Sequence, residues 1–320
     1  MRLEGKGLIG RAHPVSFHFD GRRYEGFAGD TLASALLASG VRMVARSFKY
    51  HRPRGVMTAG SEEPNALVTV GRGATQEPNL RATTVEVHEG LWAQSQNRWP
   101  TLGLDLLAVN DVFAPFLGAG FYYKTFMWPR AFWERVYEPL IRRAAGLGAL
   151  SGDACEDSYE RAHAHCDVLV IGAGPAGLMA ARAAAEAGAD VILAEEDTRL
   201  GGRLLAETEE VDGLAGVDWV DEIAAELAAM PNVRIMTRTA VTGVYDGGTY
   251  GALERLAPDI AARGHAPKGC FWRIVARRAV LAAGALERAI AFPNNDRPGL
   301  MMAGAVRAYV NRWGVAPGQR

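Results

Sequence analysis

Gly172, Gly174 and Gly177 stand at G-x-G-x-x-G spacing, and Glu195 follows Gly177 by 18 residues. These residue types in this order suit the binding of a dinucleotide. Gly172 permits a tight turn, Gly174 lets backbone approach a pyrophosphate, and Gly177 lets a helix pack closely on a strand. Ala176 lies in the first helical turn, whose unpaired N–H groups and positive dipole end face the phosphates. Glu195, with Glu196 beside it, sits where a carboxylate accepts hydrogen bonds from ribose hydroxyls and repels a 2′-phosphate. Beyond Gly201-Gly202, Arg203 is a phosphate candidate. The backbone near Val241 is the expected contact to adenine. The fingerprint GAGPAG leaves NAD and FAD both open. No nucleophile or general base can be named, because no titratable side chain comes with a reason for a tuned pKa.

These residues need a βαβ frame. Val168–Ile171 reads as a buried strand, 176–187 as an Ala-rich helix, and Val191–Ala194 as a second strand. A helix over 218–230, a strand over 233–246 and two strands over 271–283 follow. The last pair ends at Ala282-Ala283-Gly284, which resembles the turn that closes over the nucleotide in the glutathione-reductase-like fold. The expected fold class is therefore α/β. It combines a Rossmann-like FAD/NAD(P)-binding domain over 166–320, incomplete because no second glycine fingerprint follows, with an N-terminal domain over 1–90. That first domain has β-grasp, ferredoxin-like order: a hairpin over 15–28, a helix over 31–40, then strands at 67–70 and 83–90. Plant-type [2Fe–2S] ferredoxins place C-x4-C-x2-C in the loop after the helix. Residues 46–68 contain no cysteine, which excludes a thiolate-held cluster. A basic run in that loop, Lys49 to Arg54, reads either as a solvated loop or as an anion or partner contact. Residues 91–165 form a connecting segment with ten aromatics between Phe113 and Tyr137. Core filler is favoured there slightly over a partner surface.

At 320 residues, 49% of them apolar, the chain can fill two sizeable cores. A net charge of −1 argues against nucleic-acid and membrane-surface partners. Three scattered cysteines point to a reducing compartment, and the first residues carry no apolar signal. The expected location is cytoplasmic. Cys155, His163, His165 and Cys166 match no zinc-finger spacing, so no metal site is expected.

The stretches RSFKYHRPRG (46–55), 97–148, the GAGPAG unit and 291–318 together resemble the alpha subunits of heterotetrameric sarcosine oxidases. The aromatic block is the most specific of them. The resemblance implies an N-terminal portion of an alpha subunit that holds NAD tightly at Gly172, Gly174, Ala176, Gly177, Glu195, Glu196, Arg203 and Val241. It also implies a beta subunit carrying FAD and FMN, the FMN at the alpha–beta interface, together with gamma and delta subunits. Such a complex demethylates sarcosine oxidatively to glycine, with hydrogen peroxide and a one-carbon unit for tetrahydrofolate. The catalytic residues then belong to another subunit. The alternatives are a stand-alone FAD- or NAD-dependent disulfide-type reductase and an opine oxidase or amino-acid dehydrogenase alpha subunit. The reductase would need a C-x-x-C pair, which the chain lacks.

Overall fold

A turn at Asp20-Gly21, both residues at positive φ, joins β1 (Gly10–Phe19) to β2 (Arg22–Ala28). This is the geometry that two-residue hairpins favour. The helix Leu32–Ala38 follows. Thr31 caps it, accepting from the Ser34 N–H while the Ser34 hydroxyl accepts from the Thr31 N–H. Two short strands, β3 (Ala45–Arg46) and β4 (Pro53–Arg54), pair across the next loop. Then come β5 (Leu67–Val70), β6 (Glu77–Arg81) and β7 (Trp92–Ser95). The sheet order is β2-β1-β7-β5-β6, with β1 and β7 parallel, as a β-grasp requires. The computed structural model describes residues 1–146, 148–155, 157–258 and 266–318. It divides into two units, Met1–Cys155 with Arg288–Arg320, and Glu156–Glu287.

The first unit departs from the sequence expectation in four places. Residues 83–90 form no strand. Their carbonyls and amides serve the start of the helix instead, with Leu32 N–H donating to Val85 O at 2.8 Å and Val87 N–H to Asp30 O at 3.0 Å. The aromatic block is not core filler: Phe113, Phe116, Met127, Trp128 and Phe132 are exposed, Trp128 at 85%. The basic run is internally paired, with Arg52 and Arg54 on the Asp296 carboxylate and Lys49 on the Leu117 carbonyl. Finally, 288–320 groups with this unit rather than continuing the nucleotide domain. The helix Ala303–Asn311 buries Tyr309, whose hydroxyl donates to Thr58 O at 3.0 Å.

The second unit is built on β8 (Tyr159–Ile171), which begins inside the expected connecting segment 91–165. It pairs in parallel with β9 (Val191–Ala194). Short β10 (Glu210–Val211) and β11 (Leu214–Ala215) form a hairpin, and β12 (Val233–Met236) extends the parallel sheet beyond β9. The stretch 233–246 is two strands rather than one. Arg238, at φ +53, turns the chain, and β13 (Thr239–Tyr245) lies at the opposite edge of the sheet. β14 (Thr249–Arg255) is antiparallel to both β13 and β15 (Gly269–Leu281), and β15 is one long strand where two are expected. The order is β12-β9-β8-β15-β14-β13.

Both faces of the parallel strands are covered, which explains their unbroken apolar runs. Val170, Val191 and Leu193 pack under the helices Pro175–Glu186 and Gly216–Ala229 with Leu178, Ile223 and Leu227. Leu169, Ile192 and Ala194 point the other way, onto Ala252, Ile274 and Met236. Strand alternation puts Cys166 on the face opposite His163 and His165. Among the described residues, no three His, Cys, Asp or Glu side chains come together to hold a metal ion. No described helix is long and apolar enough to cross a membrane.

Candidate functional site: the glycine turn at the end of the parallel sheet

The chain leaves β8 at Ile171 and turns at once into the helix Pro175–Glu186. Gly172 adopts φ +95, and a Cβ there would lie 2.6 Å from the Ala282 carbonyl oxygen, so only glycine fits. Gly177 is tighter still. A Cβ on it would stand 1.9 Å from the Gly172 oxygen, which means the helix rests directly on the turn. Gly174 is different in kind. Its φ is −69, open to any residue, and a Cβ there would meet nothing within 4 Å. Its bare face opens outward. Pro175 at the first helical position gives up an amide that has no intrahelical partner anyway. Exposed Ala176 follows in the first turn, where amides point out along the axis.

A second loop closes on the first. Gly201 N–H donates to Ala173 O at 2.8 Å, and a Cβ on Gly202 would lie 3.0 Å from Gly174 Cα. Gly174 and Gly202 thus bring two backbones together with no side chain between them. That is the cradle a pyrophosphate requires, and the residues fit such a group.

Glu195 sits where β9 ends, 8% exposed. Its carboxylate accepts from Ala173 N–H at 2.7 Å and from Asp197 N–H at 2.9 Å. Burial pushes its pKa up, while the two amide donors pull it down. The acid therefore clamps the glycine turn to the second strand, a role its position in the sequence does not reveal. Glu196 beside it is exposed. Arg203 is 60% exposed, and its Nε donates to Glu207 at 3.0 Å. The Val241 side chain packs against the core face that holds Ile192 and Ala252. Its backbone, opposite Ala252, adjoins a register shift between Val241 and Gly243. Ala282 N–H donates to Ile171 O at 2.8 Å, which brings the end of β15 beside the turn. The glycines, Ala176, Glu195 and Ala282 therefore come together at one end of the sheet.

The comparisons with known proteins fall on these same pieces. A family described as "2Fe-2S iron-sulfur cluster binding domain" matches residues 12–98, and one described as "FAD dependent oxidoreductase" matches 167–229. The chain is 58% identical over 319 residues to the sarcosine oxidase alpha subunit of Rhizobium meliloti (strain 1021), covering 99% of this chain and 32% of that protein. It is 38% identical to the same subunit of Corynebacterium sp. (strain U-96), covering 98% and 28%. An opine oxidase subunit of Agrobacterium tumefaciens (strain Ach5) is 33% identical over 47% of the chain and 30% of that protein. The chain thus spans about a third of the length of these relatives. Among solved structures, L-proline dehydrogenase from P. horikoshii superposes with a TM-score of 0.62 at 23% identity. That match covers 99% of this chain and 50% of the other, and it shows the fold. The fold is α/β, a Rossmann-like FAD/NAD(P)-binding domain preceded by a ferredoxin-like one.

Proposed function

Since the chain is homologous along nearly its whole length to about a third of the sarcosine oxidase alpha subunit, we propose that it supplies the nucleotide-holding part of such a protein. The supporting observation is the paired approach of Gly174 and Gly202, which leaves two backbones bare at one place. We read the nucleotide as NAD. FAD is the second reading, favoured by the family match over 167–229.

Either dinucleotide, when bound, supplies hydride-transfer chemistry. The chain's own residues bind and orient it. Gly174, Ala176 and Gly202 would meet the pyrophosphate, Glu196 and the rim of Glu195 the ribose, and the backbone at Val241 the adenine. Arg203 would have to leave Glu207 to reach a phosphate. Burial raises the pKa of Glu195, and two amides already hold its carboxylate. A base held in that way is poorly placed to move a substrate proton. In this reading the oxidation of sarcosine to glycine, with hydrogen peroxide, takes place on a partner subunit, and the one-carbon unit for tetrahydrofolate is handled outside this chain. The partners are a beta subunit bearing FAD and FMN, with gamma and delta subunits. The exposed aromatic block is the docking surface.

The test is purification of the chain with its native partners, followed by a peroxidase-coupled assay. Peroxide formation that depends on sarcosine is the expected result. A complex that instead turns over NAD(P)H or disulfides, and ignores N-methyl amino acids, would overturn the reading.

A further inference from the structure

The family described as a 2Fe-2S domain matches 12–98, yet Cys155, Cys166 and Cys270 all lie beyond that span. The residues do not fit a thiolate-held cluster. The loop that carries such ligands must then be fixed by other means, because a loop of about twenty residues is seldom rigid without internal bonds.

Two buried carboxylates do this. Glu63, 1% exposed, receives five donors. Its Oε2 accepts from Met57 N–H at 2.9 Å, Thr58 N–H at 2.6 Å and Thr58 Oγ1 at 3.1 Å. Its Oε1 accepts from Asn65 N–H at 2.7 Å and Ala66 N–H at 3.0 Å. Asp105, its side chain wholly buried, receives His51 Nδ1 at 2.7 Å on Oδ2, with Arg46 Nε 3.5 Å away. Its Oδ1 accepts from Trp99 N–H at 2.9 Å and Leu107 N–H at 3.1 Å. Arg46 also donates to His51 O at 2.8 Å and to Leu102 O at 2.9 Å.

The direction of these bonds matters. Glu63 closes the far half of the loop on itself, whereas Asp105 ties the near half to the segment that begins the aromatic block. Further bonds run the same way: Tyr50 Oη to Leu117 O at 3.1 Å, and Asn110 Nδ2 to Lys49 O at 3.0 Å. We propose that the ligand loop of a cluster domain has become, in this chain, the mount of the aromatic surface, with Glu63 and Asp105 closing it in place of iron. The mount is the same whatever docks on the surface.

Hydrogen exchange of the full chain, read by mass spectrometry, tests it. In Asp105→Asn an amide N–H replaces an acceptor oxygen, so donors face donors. Exchange should quicken by roughly tenfold or more over both 46–55 and 109–121. In Glu63→Gln the increase should fall on 57–66. Strand 168–171 is the internal control and should exchange as in the parent chain. If Asp105→Asn does not fold, Tyr50→Phe removes a single hydroxyl and should quicken 109–121 by about fivefold. Parent-like rates over 109–121 in a folded Asp105→Asn or in Tyr50→Phe would overturn the proposal. So would iron and acid-labile sulfide in cluster stoichiometry after reconstitution of the chain.

Discussion

Gly177→Ala pits two known effects against each other. Alanine at the third position of the helix Pro175–Glu186 should stabilise it by about 1 kcal/mol through helix propensity alone. The added Cβ, however, would lie 1.9 Å from the Gly172 carbonyl oxygen and 3.0 Å from its carbon. Both atoms are backbone, so no side chain can swing aside. The turn or the helix must shift by roughly 1 Å, and overpacking against such a neighbour costs about 3 kcal/mol or more. The clash wins by about 2 kcal/mol. For the unit Glu156–Glu287 this corresponds to a fall in Tm of about 5–8 °C. Gly174→Ala is the partner experiment. Its φ of −69 suits alanine and its Cβ meets nothing, so thermal stability without nucleotide should be unchanged or slightly raised. Its methyl group would stand where a pyrophosphate approaches, so nucleotide retention should fall by about tenfold or more. Thermal melts of nucleotide-free protein, paired with titration calorimetry, separate the two effects. Gly177→Ala melting with the parent, or Gly174→Ala destabilising the nucleotide-free chain as much as Gly177→Ala does, would rule out the backbone clash as the cause.

The Glu195 clamp has a pH signature. Its folded pKa lies above the unfolded value of about 4.3, because burial outweighs its amide donors. The folded state therefore holds this proton more tightly. Its contribution is complete below the unfolded pKa and is lost as pH rises through the folded one. Glu195→Gln should abolish that decline in urea midpoints, and should cost about 1–3 kcal/mol at neutral pH where an amide N–H faces a backbone N–H. A parent-like pH profile would contradict this. Burial pushes the Cys166 thiol up to about 11, so exposed Cys155 should alkylate about a hundredfold faster at pH 8. Peptide mapping after a brief iodoacetamide pulse reads the ratio, and equal labelling would count against the buried placement. Phe116 and Trp128 are 78% and 85% exposed, so Phe116→Asp with Trp128→Asp should leave the melting temperature within about 1 °C while abolishing co-purification with partners. A large drop in stability would return these side chains to a core.

The nucleotide unit was the more legible half, because its signals are local. Three glycines, a strand and an acid fall within one βαβ length, although the carbonyl that makes Gly172 obligatory comes from distant Ala282. What the sequence hid was non-local. Glu195 reads as a ribose ligand, and its place in the sequence does not show that its oxygens also accept the amides of Ala173 and Asp197. The strand expected at 83–90 has the right residues, but Val85 and Val87 bond the helix start instead of a neighbouring strand. The run 233–246 reads as one continuous strand, and only the positive φ of Arg238 splits it between opposite sheet edges. The basic run from Lys49 to Arg54 gave no hint of its partners, because Asp105, Leu117 and Asp296 lie from about fifty to well over two hundred residues away. Aromatic content alone does not separate core from surface, and here exposure decided for surface.

We propose that the unit Glu156–Glu287 holds an adenine dinucleotide, read as NAD. Mass spectrometry of the small molecules released on denaturing the purified full chain, with its visible absorption spectrum taken beforehand, tests this most directly. The expected result is NAD with no flavin absorption. Released FAD with flavin bands would contradict the NAD assignment, and the absence of any nucleotide would contradict the cradle itself.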